Sequence, residues 1–416
     1  MPPQPKRSSD KPLPAAPGKL LTAWLTGDDP HAVYRELRAI GEIVTYPGGL
    51  FALSHRTCRV LLTDSRWEPV PRSAGPESLG LQRLGRTMLF RSGAEHRTAR
   101  RTHGAAVSNR GLTDLRPLVE RRVDEAVRRL LDALNAAGEG ASVDAVALVS
   151  DPLPVEIICD VLGLPQDGRG ELARHAEHSF RVQEFTASPE DLAVANRSML
   201  EVARYISEND PSLGIDAIDN RTLMLAGGAT TTSALLGAVL HYAASGAVLP
   251  PAGPPGDEAR VRLVDELLRY DPPAHMFTRR AAEDTELGGF PMAAGTLVHG
   301  VVASAARDPE LLDDGDAFRP DRTPVPHLAF GAGPHFCPGS RLARMEAEVL
   351  LDRLARDVPA FVSAGAPRRP DWARLIRHFA HLPVRLAHVM RDSAPAQGEA
   401  PPGARRFAHV GGGGAV

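Results

Sequence analysis

The stretch that decides the fold is His327–Glu346, HLAFGAGPHFCPGSRLARME. An apolar lead-in through Phe330 gives way to Gly331 and Gly333. His335 follows, then the lone Cys337, and Gly339 opens an Arg-rich run with helical spacing. A sulfur at a helix start meets amide N–H groups that lack intrahelical partners, together with the positive end of the helix dipole. The pattern therefore predicts an easily ionised Cys337, with Pro338 at the first helical position, where its missing N–H costs nothing. The three glycines predict a tight loop whose backbone lies against something flat and large, where side chains would clash.

Composition sets the frame for that loop. The chain has 416 residues, 43% hydrophobic and 24% charged, the balance of a globular protein with a large core. A formal net charge of −3 supplies no global field for nucleic acid or an anionic membrane. The N-terminus, MPPQPKRSSDKPLPAAPGKLL, carries prolines and charges where a secretory signal needs an apolar core. No run of about 18 apolar residues stands out elsewhere, so the expected location is cytoplasmic. Cys58, Cys159 and Cys337 are far apart, without a CxxC pair for zinc and odd in number for a disulfide framework. Cys58 and Cys159 lie in apolar runs and read as small buried hydrophobes.

Residues 1–17 and 391–416 are rich in Pro, Gly and Ala and read as mobile tails around one domain, 18–390. EIVTYPGGLFALSH predicts an early hairpin about a Pro-Gly-Gly turn. Apolar residues at helical spacing then recur in LTDLRPLVERRVDEAVRRLLDALNAA, NRTLMLAGGATTTSALLGAVLHYAA and SRLARMEAEVLLDRLARD, with a strand-rich patch late in the chain. The expected class is mainly α with small β-sheets.

Haem iron held by a cysteine thiolate needs a display of this kind, because the sulfur pushes electron density onto iron and favours O–O cleavage. FGAGPHFCPG resembles the haem-binding loop of the cytochrome P-450 superfamily, with Phe330, Gly331, Gly333, His335, Cys337 and Gly339 on pattern. The resemblance implies haem b between a Thr-rich central helix and the helix after Cys337, with Cys337 as axial metal ligand. It implies haem-propionate contacts from His96 and Arg100 in AEHRTARR, from Arg279 in FTRRAAED, with Arg280 as its neighbour in register, and from His335. It also implies that Glu266 and Arg269, one helical turn apart, form a buried pair joined by Arg322 that supports the haem loop.

LAGGATTTSA resembles the family's helix on the oxygen side of the haem, which usually reads Ala-Gly-x-acid-Thr-Thr. Ala226, Gly227, Thr230 and Thr231 match as cofactor-side and catalytic residues, but Ala229 stands where the acid is expected. No adjacent group then resupplies a proton to Thr230. The leading expectation is a monooxygenase tailoring a small molecule of bacterial secondary metabolism by hydroxylation or oxidative bond formation. Because of Ala229, oxidative coupling, peroxygenation and nitric oxide reduction stand as alternatives within the family. A haem-free activator of another enzyme is disfavoured by Cys337.

By resemblance, the substrate pocket draws on Arg91, Ala229, His275, Met276, Phe277, His378 and Phe379. Arg97, Arg101, Arg341 and Arg344 form an expected basic patch for an acidic ferredoxin. No flavin or nicotinamide fingerprint is present, so electrons are expected from a separate ferredoxin and ferredoxin reductase.

Overall fold

The computed structural model describes residues 13–27, 29–71, 78–107, 112–138, 140–184, 187–358 and 361–387. The expected C-terminal tail and most of the N-terminal one lie outside these. Residues 13–17, however, are packed: Thr45 donates its amide to Pro14 O at 2.8 Å, Ala16 donates to Thr45 O at 2.7 Å, and Ala16 is buried. Residues 13–17 of the expected tail are therefore part of the packed structure, with Leu13 against a buried core.

Helices dominate. The longest is the central helix, Ile215–Ala244, of 30 residues, which ends where Gly246 adopts φ +79°. One 18-residue window in it reaches a mean hydropathy of 1.6, apolar and long enough to cross a membrane, which corrects the expectation of no such run. It is 67% buried inside the protein, as a helix apolar on nearly all sides must be in a large core. Leu235, Leu236, Val239 and Leu240 of this helix share one core with Val119, Val123 and Leu130 of helix Leu112–Ala137. The same core takes Leu342, Ala347, Leu350 and Leu351 of the Cys-loop helix, Ser340–Asp357.

The predicted hairpin forms from Ile43–Tyr46 and Gly49–Ala52, with Tyr46 opposite Gly49 and Gly48 at φ +124°. It is the edge of a five-stranded sheet that continues through Leu297–Val301, Met276–Ala281 and Trp67–Pro69. Gly49–Ala52 runs parallel to Leu297–Val301 and the other pairings are antiparallel. A three-stranded sheet of Val143–Asp144, Pro383–Leu386 and Phe361–Ser363 and a two-stranded hairpin, Thr285–Leu287 with Phe290–Met292, complete the strands. Cys58 and Cys159 are buried as expected, and burial pushes the Cys159 thiol up to about 12.

Glu346, one face of the Cys-loop helix, is 1% exposed and its Oε2 has no partner among the described residues. Burial alone pushes its carboxyl up to about 8. A carboxyl held above its unfolded value leaves stability intact below about pH 4 and erodes it as pH rises toward 8. Glu346→Gln should therefore change little at about pH 4 and add about 3 kcal/mol at pH 7, read from urea unfolding at the two pH values.

Candidate active site

The Cys loop is fixed by its own backbone. Gly331 N–H donates to Leu328 O at 2.8 Å, Cys337 N–H to Phe330 O at 2.9 Å and Phe336 N–H to Gly333 O at 3.1 Å. Gly331 and Gly333 have φ of +72° and +66°, where other residues are strained. A Cβ on Gly333 would stand 2.6 Å from Leu62 O, so this glycine makes room for helix His55–Thr63 rather than for a ligand. A Cβ on Gly331 or Gly339 would meet nothing closer than His335 O at 3.7 Å and Cys337 Sγ at 4.0 Å, respectively. The loop is thus open on the side of the sulfur.

Two expectations about the cysteine are corrected. The helix begins at Ser340 with Gly339 as its N-cap, so Pro338 lies outside the helix, before the cap. The half-buried Cys337 is also harder to ionise than a free thiol. Burial raises it more than the amides of Gly339 and Ser340, which donate to the sulfur, and the charge of Arg100 lower it. Desolvation of the anion here outweighs two oriented dipoles and one nearby guanidinium.

The segments that flank the loop bring basic groups together. Helix Gly93–His103 abuts it, with Arg100 Cγ and Pro338 Cβ both 3.8 Å from a Cβ placed on Gly104. The rings of His96 and His335 pack with centroids 4.0 Å apart, tilted by 33°. Burial, then the charges of His96, Arg279 and Arg100, pushes His335 down to about 3. His96 is lowered by burial, then by Arg100 and Arg97. Arg279 is 8% exposed, and burial brings its guanidinium down to about 10. It donates to Thr278 O at 3.0 Å and lies over the Phe277 ring. Neighbouring Arg280 points outward to Glu68, which settles which arginine faces the site. Among the described residues, no carboxylate stands within ion-pair distance of His96, Arg100, Arg279 or His335. Arg100 and Arg279 are guanidiniums without a carboxylate partner, and the two imidazoles, both lowered and so neutral near pH 7, have N–H groups to donate; the site therefore calls for an anion from outside the chain. A flat dicarboxylate seated over an open thiol satisfies both halves of that demand, so the residues present fit a haem.

The two threonines separate. Thr230 Oγ1 donates to Ala226 O at 2.9 Å and lies 3.4 Å from Ala176 O, buried against helix Arg169–Phe180. Thr231 Oγ1 donates to Gly227 O at 2.8 Å and is half-buried. Met224, Gly227, Thr231 and Ala238 form a stripe on one face of the helix by spacing and are half-buried, as are Leu223 and Gly228 beside them, and Met224 and Ala238 pack against the same core as Ala329 and Phe330 of the Cys loop. Thr231 therefore lies on the stripe facing the loop, while Thr230 and Ala229 line a cavity behind the helix. Ala226 packs with Phe180 and Ile376, and a Cβ on Gly227 would meet the Phe180 ring at 3.1 Å.

Glu266 and Arg269 form the expected pair, 2% and 1% exposed, through bonds of 2.7 and 2.8 Å. Arg322 Nε reaches Glu266 at 3.3 Å, and Arg319 N–H donates to the same carboxylate at 2.7 Å. Arg269 also donates to Ala306 O, Gly315 O and Ala317 O, tying the segment before the Cys loop to helix Glu258–Tyr270.

Several expected pocket residues lie elsewhere. Arg91 pairs with Asp216 at the start of the central helix. His275 Nε2 donates to Asp271 at 2.9 Å and its Nδ1 lies 3.2 Å from Tyr34 Oη, within a buried group that also holds His31 and Arg369. Met276 packs into the core of Trp24, Tyr34 and Phe51. Strand alternation separates it from Phe277, which packs beside Arg279. Phe379 packs on Gly237 and His241, and His378 lines the cavity behind the central helix. Arg344 pairs with Asp265 and lies over Phe330, which removes it from the basic patch, whereas Arg97, Arg101 and Arg341 are exposed. The sequence reading missed Asp151 with Ser233 and the His31–Asp271–His275 group, since neither has a spacing signal.

The family model described as "Cytochrome P450" matches residues 261–357, which contain Glu266, Arg269, Arg322 and Cys337. PikC, a cytochrome P450 monooxygenase of Streptomyces venezuelae, is 30% identical over 392 residues, 86% of this chain and 91% of its own. The chain belongs to the cytochrome P-450 family. The erythromycin C-12 hydroxylase of Saccharopolyspora erythraea is likewise 30% identical, covering 72% of this chain and 80% of its own. The crystal structure of P450BioI in complex with hexadec-9Z-enoic acid ligated acyl carrier protein matches the fold with a TM-score of 0.75 at 24% identity, covering 88% of this P-450 and all of that chain. This P-450 is an oxidoreductase, and its family implies a haem-thiolate iron cofactor.

Removing the Glu266 carboxylate would leave Arg269 and Arg322 buried without their shared anion. Glu266→Ala should cost about 3–5 kcal/mol in chemical unfolding, whereas Asp321→Ala, on the exposed rim, should cost little.

Proposed function

We propose that this P-450 is a haem-b monooxygenase that tailors a small molecule of bacterial secondary metabolism, in which the Cys337 thiolate would hold the iron. The observation that supports this most is the convergence of His96, Arg100, Arg279 and His335, without protein carboxylates, beside a thiol that accepts hydrogen bonds from the amides of Gly339 and Ser340. Bound haem supplies the activation of dioxygen. The chain's part is to seat and orient it: Arg279 and Arg100 neutralise the propionates, and His96 and His335 donate to them. Thr231, on the stripe facing the loop, holds a hydroxyl toward the reacting side. Phe180, Ala226 and Ile376 close that side with apolar surface and shape the substrate space. The hydroxylase and monooxygenase relatives support a tailoring role.

Electrons come from a ferredoxin and its reductase in the cytoplasm. The docking surface draws on the exposed Arg97, Arg101 and Arg341 together with Phe336, which is 43% exposed on the Cys loop. Ala229 favours a second reading, in which coupling, peroxygenation or nitric oxide reduction replaces hydroxylation.

Reduced protein under carbon monoxide should show the family's red-shifted band, and Cys337→Ser should abolish it; a wild-type protein without the band overturns the reading. Rates with ferredoxin, with peroxide and with nitric oxide then separate the reactions. Arg279→Leu should weaken haem retention by about tenfold while leaving the haem-free protein at least as stable, since it removes a buried charge that lacks an anion. Pro338→Leu restores an amide donor beside the sulfur and should raise the haem midpoint potential, measured by redox titration; an unchanged or lower potential contradicts this.

A further inference from the structure

Behind the central helix lies a cavity of about 270 Å³ lined by Asp151, Glu177, Ala229, Thr230, Ser233 and His378. Ala229 and Ser233 stand one helical turn apart on its wall, and Thr231 lies roughly 160° around the helix. Thr230 sits between them, roughly 100° from Ala229 and from Thr231. It therefore separates the cavity from the stripe that faces the Cys loop.

Polar groups held in place interrupt the largely apolar wall of the cavity. A turn of π-helix, Val146–Ser150, precedes Asp151, and such bulges recur at functional sites. Ser233 Oγ donates to Asp151 Oδ1 at 2.6 Å. His378 is 4% exposed, and neither of its ring nitrogens has a hydrogen-bond partner among the described residues. Its Nε2 stands 3.7 Å from Glu177 Oε1, beyond a direct hydrogen bond. The volume holds several waters, and a buried imidazole without a partner requires them. Thr230 spends its hydroxyl proton on Ala226 O, so its oxygen remains able to accept from such a water.

We propose that this cavity is the proton inlet of the enzyme: Asp151, Glu177 and His378 charge a file of water that ends on Thr230, in place of the acidic side chain that Ala229 lacks. The inference rests on the haem-thiolate reading above. In each transfer a proton leaves the Asp151 carboxyl for the adjoining water, and the last water of the file gives a proton to Thr230 Oγ1 as Thr230 turns its own hydroxyl proton away from Ala226 O and releases it toward the side of Thr231. Asp151 is recharged from solvent by way of Glu177 and His378, so no electron moves and the charge is restored.

The surrounding charges suit this role. Burial raises the Asp151 carboxyl to about 6, against the Ser233 hydrogen bond and the His378 charge, with Glu177 and Asp144 pushing the same way as burial. Glu177 is itself pushed up by burial, but His378, His178 and Arg181 hold it below its usual range. Arg174, on the same helix, is the remaining charged group on the wall.

The test uses the full-length, haem-loaded protein and its Asp151→Asn, Asp151→Glu and His378→Gln variants, each checked first for the carbon monoxide band. Infrared titration should show a carboxyl C=O band that disappears near pH 6 in wild type and is absent from Asp151→Asn. Reductant consumption with added ferredoxin and ferredoxin reductase should fall about tenfold in Asp151→Asn and lose its acid-side pH dependence and solvent isotope effect. Asp151→Glu should restore both, and His378→Gln should fall between. Asparagine still accepts from Ser233, so a purely structural role would leave the pH profile unmoved. An intact carbon monoxide band with an unchanged profile in Asp151→Asn, or no titrating carboxyl in wild type, overturns the inlet alone. A wild type without the band overturns the haem reading and the inlet together.

Discussion

The contact on which the site depends is the shared core of the central helix and the helix after Cys337. Leu235, Leu236, Val239 and Leu240 meet Leu342, Ala347, Leu350 and Leu351 in one buried cluster. Interiors packed this closely transmit small shifts instead of absorbing them, so the cluster sets the spacing between Cys337 and Thr231. The Glu266–Arg269–Arg322 group does the same for the segment entering the loop. Arg269 ties three backbone carbonyls to one helix, and the loop's own hydrogen bonds carry that position to the cysteine. The open thiol is rigid because its neighbours on both sides are anchored elsewhere.

Much of this was legible in the sequence because it is written in short-range patterns. The Pro-Gly-Gly hairpin, the apolar central helix and the Glu-x-x-Arg pair follow from local spacing, and the structure has all three. The acidity of Cys337 was not legible, because a helix start promises dipoles but says nothing of how far the sulfur is desolvated. Nor was the partner of Gly333, which is a backbone carbonyl some 270 residues earlier in the chain, at Leu62. Adjacent residues on a helix point roughly 100° apart, so Thr230 and Thr231 cannot both face one ligand, and only the packing of Ala176 decides between them. On the strand Met276–Ala281 the same geometry at period two turns Met276 into a core and leaves Phe277 beside Arg279.

The placement of charge gives the site its direction. Basic groups without acids gather on the loop side of the central helix, and acids with His378 gather behind it. Between them the helix is apolar on nearly every face, so the two sets do not neutralise one another. Had an acid stood at position 229, its charge would lie on the cavity wall beside Asp151 and Glu177, where like charges at short range raise one another's proton affinity. Alanine at that position keeps the carboxylates of the cavity apart from a further one, and leaves the polar threonine next to it as the one step by which the two faces of the helix communicate.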